Sequence, residues 1–154
     1  MRFDFVPFFH PGQNIPWTQT LDYMRQQTQL AEDAGFTTVW VTEHHFAHNG
    51  YLNAPPNPIL VCADLALHSN TIRVGQAPVV LPDWHPLRVA EDIAMLDNMT
   101  DGRVDFGVAR GIPERASIQF NPEADKRDGD KSFRIMRESL DIILKAWTQV
   151  PFSY

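Results

Sequence analysis

Uninterrupted apolar runs recur along the chain and predict buried strands. The first run covers residues 3–9 and ends at a Pro-Gly turn. The later runs are Thr37–Val41, Ile72–Val80 and Val104–Val108, of which Thr37–Val41 consists of β-branched and aromatic residues without polar alternation. Such runs are typical of parallel strands that are covered on both faces. The pattern therefore predicts four parallel strands.

Between these runs, apolar residues recur at steps of three and four, which predicts a helix after each strand. Gly35 suits the left-handed cap at the end of the first helix, and Asn57 before Pro58 suits the start of the second. Pro151 stops the last helix. The predicted helices run from Trp17 to near Ala34, from Pro58 to His68, from Pro86 onwards and from Phe133 to Trp147.

The predicted strands start near residues 3, 37, 72 and 103, so strand and helix alternate in units of 31 to 35 residues. This repeat predicts a parallel α/β architecture. A doubly wound sheet usually carries a Gly-rich turn after its first strand, but residues 10–14 read His-Pro-Gly-Gln-Asn. The (β/α)8 barrel is therefore favoured. Such a barrel needs about 250 residues, so residues 1–154 are expected to form one incomplete domain with four of its units.

Composition excludes several classes of function. The net charge is −6 and no Lys/Arg cluster is present, which argues against a nucleic-acid partner. No apolar stretch has the roughly 18 residues of a spanning helix, and the N-terminus does not resemble a signal peptide. The single cysteine, Cys62, cannot form an internal disulfide and is expected to be buried in the core. A lone cysteine also fits a protein from a reducing compartment. The chain is predicted to be cytoplasmic, with no membrane partner.

Candidate chemistry lies just after three of the predicted strands, where the working residues of a parallel barrel are found. The segments are Thr42–Phe46, Pro82–Pro86 and Ala109–Gly111. Together they offer carboxylate, imidazole and guanidinium groups, a set that can transfer protons and hold an anion. On the residues alone, a hydrogen-bonded structural cluster or a metal site remains an alternative.

The chain carries four ordered motifs: Val39–Phe46, Val74–Pro82 with His85-Pro86, Glu91–Met99, and Asp101–Arg103 with Phe106–Gly111. With their matching separations, these motifs resemble the bacterial luciferase-like flavin-dependent monooxygenases, over the N-terminal half of that family. The resemblance implies a TIM barrel of which this chain holds the first four β/α units. It also implies a flavoprotein oxidoreductase in which reduced FMN, supplied by a flavin reductase, reacts with O2. The flavin peroxide then oxygenates a small organic substrate such as an aldehyde.

The resemblance assigns roles at the end of the second predicted strand. His44 would be the catalytic base, with Glu43 and His45 lining or orienting the site. An imidazole suits this role because it titrates near working pH. Aromatic residues near these loops are expected to wall the substrate pocket and exclude water. The expected pocket residues are Phe8, His10, Phe46, Trp84 and His85.

Cofactor contacts are expected from the next two strand ends. Ala77-Pro78 falls where the family carries a cis peptide under the flavin ring, and proline makes that isomer accessible. Arg110 would bind the flavin phosphate, beside Ala109 and Gly111. Ala109 stands where luciferases proper have a reactive cysteine, which argues against light emission but not against oxygenation.

Two other functions stay open within the resemblance: a deazaflavin-dependent oxidoreductase, and a non-catalytic flavin-binding half-barrel protein. A metal-dependent hydrolase is the distant alternative, and no metal is expected. The complete enzyme is expected to be a homodimer or other homo-oligomer through its second and third helices. The 154-residue piece alone is predicted to have little or no activity. The polar segment Gly111–Gly129 is read either as a lid or as a surface loop.

Overall fold

A computed structural model describes residues 2–7, 15–46, 54–112, 115–125 and 127–154. Within these ranges, no helix combines the length and the apolar character that crossing a membrane requires. The strands are β1 (Asp4–Phe5), β2 (Thr38–Val41), β3 (Arg73–Gln76), β4 (Val79–Val80), β5 (Val104–Asp105) and β6 (Val108–Ala109). The helices are α1 (Trp17–Asp33), α2 (Pro58–Leu67), α3 (Pro86–Met99), α4 (Arg115–Phe120) and α5 (Gly129–Thr148), with 3-10 turns at Leu81–Asp83 and Pro122–Ala124.

All strand pairings in the described part of the chain are parallel. One sheet has the order β1-β2-β3-β5, and β4 pairs with β6 beyond it. The register places Val39 opposite both Phe5 and Val74. Helices connect consecutive parallel strands and cover the outer face of the sheet, which confirms the predicted parallel α/β architecture.

Two predicted strands are each divided in the structure. The run predicted at residues 72–80 is split by Ala77 and Pro78 between β3 and β4. Because proline has no N–H for the ladder, hydrogen bonding resumes only at Val79, whose N–H donates to Gly107 O at 2.8 Å. Gly107 lies in the corresponding break between β5 and β6. The two breaks thus lie next to each other, and beyond them β4 and β6 form a separate two-stranded ladder.

The core lies between the sheet and α2 and α3. Val39, Val41 and Val74 are fully buried there, as is the thiol of Cys62. Burial raises the pKa of Cys62 to about 12, so the thiol stays protonated and inert. The sequence prediction that Cys62 is buried packing is confirmed.

The opposite face of the sheet holds the indole of Trp40 against two glycines. A Cβ on Gly75 would lie 2.5 Å from the Trp40 ring, and a Cβ on Gly107 would lie 2.2 Å from Gln76 O. Both approaches are too close for any side chain. Gly75 therefore leaves room for the Trp40 ring, and Gly107 allows the backbones of the two neighbouring strands to approach closely.

Local signals set several helix ends as predicted. Gly35 has φ +81 after α1, and the Asn57 side chain accepts the Leu60 N–H at 3.0 Å at the start of α2. The last helix starts earlier than predicted, at Gly129, because Asp128 Oδ1 caps it by accepting the Lys131 N–H at 3.0 Å. The segment predicted as a polar loop contains α4 and the second 3-10 turn.

Glu32 on α1 fastens the loop that leads into β3. Its carboxylate accepts backbone N–H groups of Asn70, Thr71 and Ile72 and the Thr71 hydroxyl. Desolvation works against ionisation, but these hydrogen bonds prevail and lower the pKa of Glu32 to about 2. Glu32 thus joins two segments about 40 residues apart in the chain.

Glu32→Gln is expected to reduce the free energy of unfolding at pH 7 by about 1 kcal/mol, since the carboxylate is partly exposed. The folded pKa lies below the ordinary value of 4.5, so the contribution is present above pH 4.5 and is lost as the pH falls toward 2. Urea unfolding of both proteins across this window measures the effect. The variant should show a flatter dependence on pH, and Glu91→Gln on the exposed side of α3 serves as control. An unchanged dependence in Glu32→Gln would contradict the role.

Candidate active site

A cavity of about 400 Å³ opens at the carboxyl ends of β2, β4 and β6. It brings His44, Pro78 and Arg110 together from three neighbouring strands, as the sequence predicted. Its volume falls in the usual range for small-molecule sites. The lining residues are Glu43, His44, His45, Pro78, Val80, Asp83, Ala109, Arg110, Gly111 and Ile112.

Glu43 lines this cavity, and its side chain is fully buried. Its Oε2 accepts the Val80 N–H at 2.9 Å, and its Oε1 accepts the Trp84 indole N–H at 3.0 Å. The same Oε1 lies 2.8 Å from His45 Nε2. One carboxylate therefore connects the end of β2 to β4 and to the turn before α3.

The two histidines after Glu43 occupy different surroundings. His44 is half-buried and lines the cavity, and its backbone N–H donates to Pro55 O at 3.0 Å. His45 is held by Glu43 on one side and meets the Phe120 ring edge-to-face at 4.8 Å on the other. Both predicted residues reach the cavity, and His45 also connects it to α4.

The Ala77-Pro78 peptide is cis, as predicted, and Pro78 forms part of the cavity wall. The backbone on each side is held by the neighbouring strands. The Ala77 N–H donates to Val41 O at 2.8 Å, and the Val79 N–H donates to Gly107 O at 2.8 Å. The wall is thus fixed between β2 and the break after β5.

Arg110 follows β6, and its side chain reaches from the cavity to the first turn of α5. Its Nη1 donates to the hydroxyl of Ser132 at 3.3 Å. Its neighbours Ala109 and Gly111 line the cavity as well, and Gly111 has φ +77, which favours glycine. A guanidinium at this end of the cavity can bind an anion.

The residues predicted for the substrate pocket divide into three groups. Phe46 is exposed and stacks on Phe120 with 5.7 Å between ring centroids, and it is not among the residues that line the cavity. Trp84 and His85 are not among the lining residues: Trp84 donates to Glu43 instead, and His85 is exposed at the N-cap of α3. Phe8 and His10 lie outside the described residues.

Three lining residues were missed in the sequence: Val80, Asp83 and Ile112. Asp83 lies in the strand-end segment that had been singled out, so its position could have identified it. Val80 and Ile112 carry no chemical signal, because apolar residues at strand ends are common in any core. Among the described residues, no three His, Cys, Asp or Glu side chains are grouped so that they could hold a metal ion.

Known proteins provide a separate line of evidence. A family model described as luciferase-like monooxygenase matches residues 1–154. The oxygenase component of the flavin-dependent trigonelline monooxygenase of Acinetobacter baylyi is 33% identical over 148 residues, which are 96% of this chain and 39% of that protein. The chain therefore spans about two fifths of the length of this relative.

Solved structures also match this chain over about two fifths of their own length. The oxygenating constituent of 3,6-diketocamphane monooxygenase from Pseudomonas putida, in complex with FMN, matches with a TM-score of 0.85 and 28% identity over 100% of this chain and 41% of that chain. The coenzyme F420-dependent tetrahydromethanopterin reductase of Methanopyrus kandleri matches with a TM-score of 0.65 and 22% identity over 94% of this chain and 39% of that chain. At that identity the second match shows the fold alone. The chain thus has the TIM-barrel type of fold in partial form, and by the match over its whole length it belongs to the luciferase-like monooxygenase family.

Proposed function

We propose that this chain carries the catalytic end of β2 and the phosphate-binding arginine of an enzyme that uses reduced FMN and O2 to oxygenate a small organic substrate. The observation that supports this most directly is the meeting of His44, Pro78 and Arg110 at one cavity. An imidazole, an apolar wall and a guanidinium together suit a flavin site. Membership of the family and the similarity to an FMN complex support the same cofactor.

The residues present fit FMN by their chemistry. Arg110 offers a planar fork of N–H donors, which suits a phosphate dianion better than a lysine does. Pro78, Val80 and Ile112 offer apolar surface for an aromatic ring system. When bound and reduced, FMN would supply the reaction with O2, which no amino-acid side chain provides.

The chain's own residues then have distinct tasks. Arg110 would hold the phosphate group at one end of the cavity. His44 would accept and return a proton at an imidazole nitrogen, since an imidazole can act both as a base and as an acid. Glu43 would position the site by holding His45, Trp84 and the Val80 N–H in place. The aromatic pair Phe46 and Phe120 would restrict access of water.

A two-component system follows from this proposal. The relative in Acinetobacter baylyi is named as an oxygenase component, which implies a second component. We therefore propose that a separate flavin reductase supplies the reduced FMN. The expected homo-oligomer and the expected cytoplasmic location remain predictions, as does the low activity of residues 1–154 alone.

Labelled oxygen tests the proposal, with the full-length protein and not with residues 1–154 alone. The protein is mixed anaerobically with reduced FMN and a panel of aldehydes and cyclic ketones, and 18O2 is then admitted. A monooxygenase places one 18O atom in the product and the other in water. Turnover that continues without O2, with a reduced deazaflavin, would favour the deazaflavin oxidoreductase. Flavin binding with no product would favour the non-catalytic protein, and no flavin binding would refute both flavin hypotheses.

A further inference from the structure

Arg110 and the first turn of α5 form a contact that the proposed reaction does not itself require. Arg110 Nη1 donates to Ser132 Oγ at 3.3 Å, and the Ser132 hydroxyl lies 3.3 Å from Gly129 O, to which it donates. Ser132 is fully buried, although it is polar. A Cβ on Gly129 would lie 3.7 Å from the same Arg110 nitrogen. The guanidinium therefore lies against a glycine and a buried hydroxyl.

The start of α5 does not need the Ser132 hydroxyl. Asp128 already caps the helix by accepting the Lys131 N–H at 3.0 Å, and the Ser132 N–H donates to Asp128 O at 3.1 Å. The hydroxyl donates its hydrogen bond to Gly129 O, so its oxygen lone pairs can accept from Arg110. The donor side of the hydroxyl thus serves the helix, and the acceptor side serves Arg110.

We infer that Ser132 is a positioning residue that orients Arg110 for the phosphate group of FMN, and that a side chain larger than alanine at Gly129 would compete with the guanidinium for the same space. An unrestrained arginine loses rotamer freedom when it binds, and a side chain held in advance loses less. The guanidinium has five N–H donors, so a bond from Nη1 to Ser132 is compatible with bonds to an anion. This role rests on the proposed function of Arg110. If Ser132 has this role, its removal should weaken binding through the phosphate group and leave binding of the flavin ring unchanged.

Binding of FMN and of riboflavin separates these two parts of the ligand, because riboflavin lacks the phosphate. Fluorescence titration of the protein as it is encoded gives both affinities without turnover. Ser132→Ala is expected to weaken FMN binding about five- to tenfold, the effect of losing one typical hydrogen bond. Riboflavin binding should not change. Ser139→Ala is the matched control, because Ser139 is also buried on α5, two turns further along, and it should change neither affinity.

A second variant tests the same contact without removing a polar group. Gly129→Leu places side-chain atoms beyond the 3.7 Å Cβ position, where the guanidinium lies. The first helical position accepts leucine readily, so helicity by circular dichroism should be unchanged. The same selective loss of FMN affinity is expected. In an Arg110→Ala background, Ser132→Ala should have no further effect, since the group that it positions is gone.

The outcomes distinguish the inference from the proposal on which it rests. If the wild-type protein binds neither flavin, or Arg110→Ala leaves the preference for FMN intact, the phosphate role of Arg110 and this inference both fail. If Arg110 carries the preference but Ser132→Ala and Gly129→Leu do not reduce it, only the positioning role is wrong. Equal losses for FMN and riboflavin in Ser132→Ala would also refute that role, since they indicate a general structural effect.

Discussion

Replacing His44 with alanine is expected to lower the rate of product formation by about 10² to 10⁴-fold, the usual contribution of a general base. His44 lines the cavity between Glu43 and His45, next to Pro78 and Arg110. The alanine leaves Arg110 and the apolar wall unchanged, so FMN affinity should change little. Steady-state kinetics measure the rate of product formation in the full-length protein, and fluorescence titration measures its affinity for FMN.

Chemical rescue makes this prediction specific for proton transfer. Added imidazole should restore part of the rate in His44→Ala, because the cavity left by the side chain can admit a small base. His68→Ala is the control: His68 is exposed at the end of α2, where its Nδ1 lies 2.7 Å from Asp64 O, and its removal should leave the rate unchanged. A His44→Ala variant with the wild-type rate would rule out His44 as the base.

Glu43→Ala is expected to reduce the free energy of unfolding by about 2–5 kcal/mol, because it leaves buried donors without an acceptor. The Val80 N–H and the Trp84 indole N–H both donate to this carboxylate, and His45 Nε2 lies 2.8 Å from it. Loss of these contacts would also remove the hydrogen bond that joins the end of β2 to β4, so the side chains that line the cavity should become less ordered. Urea unfolding and the near-UV signal of Trp84 measure the two effects.

The matched control for Glu43 is a glutamate on the surface. Glu91→Ala on α3 removes an exposed pair with Arg88 and should change stability by less than about 0.5 kcal/mol. Glu43→Gln should fall between the two, because an amide oxygen still accepts from one of the donors. If Glu43→Ala and Glu91→Ala unfolded at the same urea concentration, the buried carboxylate would have no structural role.

Local features were predictable because their causes lie within a few residues. Gly35 at a positive φ, the Asn57 cap and the cis Ala77-Pro78 bond each depend on neighbouring residues or on a matched motif. The parallel order was predictable as well, since uninterrupted apolar strands alternate with amphipathic helices. Strand ends in such a fold lie on one side, which explains why His44 and Arg110 could be placed at one site.

Tertiary structure decided the contacts between residues that are distant in the chain. Trp84 appears in the sequence as a pocket aromatic, but the register of β2 and β3 places its indole on Glu43, 41 residues away. Ser132 carries no signal in the sequence, and only the packing of α5 brings it to Arg110, 22 residues away.

The sequence by itself thus determined the order of strands and helices, the family and most of the residues that face the cavity, because periodicity and motifs are local. Only the folded chain decided which polar groups hold those residues in place. A buried hydrogen bond depends on the relative position of two elements to within a fraction of an ångström. That position is set by register and side-chain packing over the whole sheet, not by the pattern of any one segment.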